Sequence, residues 1–113
     1  MVSKGIFLDN LTIEVERQVT LIHNEYNKFS TLMKDITNPE VREALNNFRA
    51  VMKNSIMPIQ KAAILAATAG IPDVEIDKAL EPYNACLDVM SENIDSIYNT
   101  IYLQSDKGGN HND

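Results

Sequence analysis

Arg42, Asn46, Arg49 and Lys53 follow one another at spacings of four, three and four residues. On a helix that spacing collects them into one stripe about 60° wide. Guanidinium groups grip phosphate or carboxylate through two parallel hydrogen bonds, so Arg42, Asn46 and Arg49, with Lys53 beside them, are the candidate anion-binding residues of the chain. A second stripe has the opposite sign: Asp77, Glu81, Asp88, Glu92 and Asp95 also recur at helical spacing. Segment 37–61 carries a net charge of +2 and segment 73–106 a net charge of −7. The plain use of two such stripes is as solvated faces, or as a guide to the packing of neighbouring helices or chains. The sharper use is a site for a small anion such as a nucleotide, assembled where stripes from two copies converge.

Other residue types with chemical potential lack the partners they need. His23 stands one position beyond the apolar Ile22, where an imidazole edges a core. A di-iron helical bundle needs Glu-x-x-His pairs, and the sequence has none. The other histidine, His111, falls in a polar tail, leaving no second imidazole for a zinc or iron site. Cys86 lies among Ala85, Leu87 and Val89 as a packing thiol, and as the only cysteine it makes no internal disulfide. There is no Gly-rich phosphate loop and no nucleophile with a base at a recognisable offset. The expectation is a protein without catalytic residues, metal or cofactor. Tyr98 and Tyr102, four residues apart, suit either an interface or the edge of a core, while Tyr83 belongs to the core pattern itself.

The 113 residues are 44% hydrophobic and 23% charged, the composition of one globular domain. Sixteen acidic against ten basic residues leave a net charge of −6. That argues against a nucleic-acid binder, which must neutralise phosphates, and against an anionic membrane surface. Met1 to Ile6 lack the apolar core of a signal peptide, and the apolar run from Ala62 to Ala67 is too short to span a bilayer. The expected location is cytoplasmic.

The elements that must position these residues announce themselves through a 4-3 spacing of apolar residues in three segments, the period with which a helix keeps one seam facing its neighbours. The first seam reads Leu8, Thr12, Val15, Val19, Ile22, Tyr26, Phe29, Met33, Ile36. The second reads Val41, Leu45, Phe48, Met52, Ser55, Ile59, Ala62, Ala66, and the third Ile76, Leu80, Tyr83, Leu87, Met90, Ile94, Ile97, Ile101. Helices are expected over about 7–36, 39–69 and 73–104, with 105–113 a disordered polar tail. Thr37-Asn38-Pro39-Glu40 has the spacing of a capping box, Gly70 suits a left-handed helix cap, and Pro72 stops one helix before the next. The fold class is all-α: an antiparallel bundle of three long helices with coiled-coil-like packing, within a single domain over 1–104.

Pro58 and Pro82 interrupt the pattern, each depriving the carbonyl four residues earlier of its partner. Folding about Gly70 brings them level, so residues 59–81 are expected to form a tip set at an angle. A break at Pro58 makes the count four helices. Within the tip, Ile56 to Ala67 is apolar around most of its circumference, since Met57 and Ile64 oppose the seam of Ile59, Ala62 and Ala66. A helix apolar all round is buried all round, either under a second copy or partner protein, or under the first helix, where Leu11, Ile13 and Leu21 supply spare apolar surface. The functional expectation is a non-enzymatic helical protein that self-associates and works by binding proteins, with Met57, Ile64, Tyr98 and Tyr102 at the interface. The alternative is an oligomer that binds or sequesters a small anion through Arg42, Asn46, Arg49 and Lys53.

Overall fold

A computed structural model describes the backbone of residues 4–110 and the side chains of residues 4–102. Among the described residues every regular element is a helix: α1 (Lys4–Leu32), α2 (Glu40–Asn54), α3 (Ile56–Thr68) and α4 (Asp73–Asn110). Helix α1 stops four residues before the expected 36 because Asp35 offers the backbone an alternative. Its Oδ1 accepts from the Thr37 N–H at 3.1 Å and from the Thr37 hydroxyl at 2.6 Å. Thr37 is therefore turned away from α2, and the expected capping box does not form. Asn38 caps instead: its Oδ1 accepts the Glu40 N–H at 2.9 Å and its carbonyl accepts the Val41 N–H at 3.0 Å. Pro39, already at φ −61° and ψ −23°, leads into the helix.

The second expected helix is two. α2 ends at Asn54 and α3 begins at Ile56, with only Ser55 between them. Pro58 is then the third residue of α3, inside the first turn, where a missing N–H leaves no intrahelical bond unmade. The interruption thus falls at Ser55, three residues ahead of the proline. α4 is continuous through Pro82, so an interruption of the helix occurs on one side of the tip and not on the other. At the far end of α3, Gly70 takes φ +93°. Its N–H donates to the Ala67 carbonyl and the Ile71 N–H to the Ala66 carbonyl, both at 3.0 Å, a Schellman closure that needs a residue tolerant of positive φ. The Pro72 carbonyl accepts the Glu75 and Ile76 N–H groups, and Asp73 and Glu75 place negative charge at the positive end of α4. Helical backbone continues through Gly108 and Gly109 to Asn110, across part of the expected tail; residues 111–113 of that tail lie outside the described residues.

The described chain is a rod measuring 69 × 20 × 16 Å, in which α1 packs against each of the other three helices. Seam residues Val41, Leu45, Phe48, Met52, Ile59 and Ala66 are buried, as are Ile76, Tyr83, Met90 and Ile101. Tyr26, Phe29 and Phe48 cluster where α1 meets α2, with ring centroids 5.4 to 6.4 Å apart; the two phenylalanines lie near-parallel and Tyr26 meets both edge to face. The first seam shifts register at its start. Leu11 is fully buried, so it does not belong to the spare surface of α1. Thr12 is exposed and returns its hydroxyl to the Leu8 carbonyl. Gln18 joins the core as a polar member, its amide donating to the Glu14 carboxylate at 3.0 Å.

Candidate functional site

Three groupings of side chains stand out from the scaffold. The first unites two sets of candidate residues that the sequence keeps apart. The Arg42 guanidinium lies 4.7 Å from the centre of the Tyr102 ring and that of Arg49 lies 5.7 Å from the centre of Tyr98. The two rings are 4.2 Å from one another. Cation on ring on ring on cation, the four side chains bind α2 to α4 along a half-exposed flank. Asn46 and Lys53 are exposed on the same side of α2. One face of each guanidinium thus rests on a ring, while Arg42, Arg49 and Tyr98 keep part of their surface in solvent.

The second grouping is Cys86 with His23. Sixty-three positions apart, they meet across α4 and α1 with Cys86 Sγ 3.9 Å from His23 Nε2. A thiol beside an imidazole is the starting arrangement for a thiolate nucleophile, which needs a depressed thiol pKa. Here burial pushes the Cys86 thiol up from its ordinary value, in the opposite direction. The arrangement suits packing rather than attack. Among the described residues no three of His, Cys, Asp and Glu gather as a metal-holding group.

The third grouping is the outward side of α3. Met57 is 76% exposed and Ile64 64%, while Ile59 and Ala66 of the same helix are buried. Met57, Lys61 and Ile64 repeat at four and three residues and share one face. Beside them Pro58, Ala62 and Leu65 form one wall of an open groove of about 470 Å³, and Asn10 and Glu14 of α1 form the other. Leu21, also exposed, sits on the same face of α1 as Asn10 and Glu14, about two turns beyond Glu14. Glu14 and Lys61 stand on opposite rims of the groove. The spare apolar surface expected of α1 does not cover α3 from within: Ile13 and Leu21 are themselves exposed. Met57 and Ile64 lie on α3 and the arginine–tyrosine ladder on α2 and α4, so the four expected interface residues do not form one patch.

What sequence reasoning missed is chiefly the pairing of groups: Arg42 with Tyr102, Arg49 with Tyr98, Cys86 with His23. The stripe of α2 and the four-residue spacing of the tyrosines were the available signal for the first two pairs. Among the described residues no helix is long and apolar enough to cross a membrane. No known protein family matches the chain, and no curated protein or solved structure is significantly similar to it.

Proposed function

We propose that this is a non-enzymatic helical protein that self-associates through the outward face of α3, and that its work is done by binding other proteins in the assembled state. The observation that carries the proposal is that Met57, Ile64 and Leu65 are exposed together on one helix beside an apolar groove, whereas the exposed Val74 and Val89 of α4 stand fifteen residues apart. Removing one such side chain from water is worth about 1.5–3 kcal/mol, and contiguous apolar surface of this kind marks an association site.

A second copy fits better than a chance partner because the patch complements itself. In a two-fold arrangement residue i meets j and j meets i. The knobs of one α3 face, Met57 and Ile64, then enter the groove of the other, and Lys61 of each copy comes opposite Glu14 of its mate. Among the described residues Lys61 has no ion pair within the chain, so it is available for that contact. In this reading the helices run as an antiparallel, coiled-coil-like bundle. The ladder of Arg42, Tyr102, Tyr98 and Arg49 sets the register of α2 on α4, and the acidic stripe of α4 stays in solvent. The alternative anion site on Arg42, Asn46, Arg49 and Lys53 remains the second reading: stacking on the rings holds the two guanidiniums in place for an anion, but the four residues stand exposed along the helix rather than gathered in an enclosed cleft.

Met57→Asp and Ile64→Asp test the reading by sedimentation velocity with circular dichroism alongside. The expected result is a helical monomer for each variant against an assembled parent. Variants that sediment as the parent does remove α3 from the interface, and variants that lose their helicity put these side chains in an intramolecular core.

A further inference from the structure

Ser55 holds the position at which a serine ordinarily caps a helix, yet it does not cap α3. Its hydroxyl points back and across. Ser55 Oγ donates to the Met52 carbonyl at 2.6 Å, and its remaining acceptor capacity takes the Tyr83 hydroxyl, which lies 2.7 Å away. With its one proton committed to Met52, Ser55 is the acceptor and Tyr83 the donor. Both residues are buried, Ser55 to 1% and Tyr83 to 4% exposure, so water cannot replace the bond while the rod is closed.

Away from the two turns that reverse the chain, the features that weaken helical continuity lie at this level. The α2–α3 interruption is at Ser55, and Pro82, next to Tyr83, leaves the Lys78 carbonyl within α4 without its usual partner. α3 is held chiefly by α1, with much less contact to α2 before it or to α4 after it. We infer that the Ser55–Tyr83 hydrogen bond is the latch of a hinge dividing the rod, and that residues 56–81 open as a unit when it is released. The backbone at Ser55 is compatible with this: at φ −69° and ψ −20° it stays in the right-handed helical region, so small dihedral changes re-aim α3 against α2. Met57 is two residues from the latch, so opening turns the exposed face of α3 relative to α2.

The inference stands apart from the assembly reading and is tested on the full chain at a concentration where the parent's oligomeric state is fixed by sedimentation. Hydrogen exchange read by mass spectrometry compares the parent with Tyr83→Phe, which keeps the ring and removes only the donor, and with Ser55→Ala, which removes the acceptor. A latch gives exchange over 56–81 faster by about tenfold, the scale set by loss of one buried hydrogen bond, with 40–54 and 86–101 changed little. The double variant then exchanges no faster than the more affected single one, since both remove the same bond. Acceleration spread evenly over all four helices makes the pair ordinary core packing, and unchanged exchange at 56–81 in both variants removes the hinge.

Discussion

Ile59 and Ile64 offer a controlled comparison: one residue type, one helix, five positions apart, with 4% and 64% of their surface exposed. Truncating each to alanine removes the same atoms from opposite faces of α3. At Ile59 the loss combines transfer free energy with an unfilled cavity, for which isoleucine-to-alanine changes cost about 2–5 kcal/mol. At Ile64 the side chain of an isolated chain has little to lose, and the cost stays within about 0.5 kcal/mol. The assay is urea unfolding followed by circular dichroism at a series of protein concentrations. In dilute solution Ile59→Ala is expected to lower the midpoint severely while Ile64→Ala unfolds with the parent. As concentration rises the parent gains stability by mass action and Ile64→Ala gains less, because it has lost apolar area from the contact. Equal destabilisation of the two variants at every concentration would refute the reasoning, since it would mean that Ile64 is covered by its own chain.

Three further outcomes follow from the local chemistry. Arg49→Ala deletes a cation lying over Tyr98 and is expected to cost about 0.5–1 kcal/mol in thermal or urea unfolding; in Tyr98→Leu the same change costs less, and a cost unaltered by that background denies the pairing. Asp35 is held below the usual carboxylate value of 3.8 by the Thr37 hydroxyl and then by the Thr37 N–H. Its charge therefore favours the folded turn above that pH, and the benefit fades as pH falls through the lower folded value; carbon-detected NMR titration should show the Asp35 midpoint return upward in Thr37→Val. Cys86, buried and with its thiol pushed up, is expected to react with iodoacetamide at pH 8 at least about tenfold more slowly than in urea-unfolded protein, and labelling at equal rates would place it at the surface.

The seams of α2 and α3 were legible because their apolar residues are spaced with the helix period and bounded by unambiguous signals: Pro39 before, Gly70 after. The seam of α1 was misread at Leu11 and Thr12, two positions that differ by 100° around the helix, because the stretch from Ile6 to Ile13 offers apolar residues on several faces. Gln18 escaped notice for a related reason: a buried amide is stable only through its Glu14 partner, a feature of side-chain geometry and not of spacing. Thr37 and Asn38 both qualify as caps from their residue types, and the choice was made by Asp35, which satisfies Thr37 first. Contacts between helices were the least legible. Whether Arg49 meets Tyr98 or a residue one turn away depends on the length of the turns at 33–39 and 69–72, and a shift of one residue there re-pairs every side chain beyond it.

Native mass spectrometry of the purified chain addresses self-association directly, because one spectrum reports both copy number and any retained small molecule. An even-numbered multimer whose mass is a whole multiple of the chain, dissociating in Ile64→Asp, is the expected result. A bare monomer across the accessible concentration range would contradict assembly through α3, and a multimer carrying the extra mass of a nucleotide, lost in Arg49→Glu, would transfer the function to the basic stripe of α2.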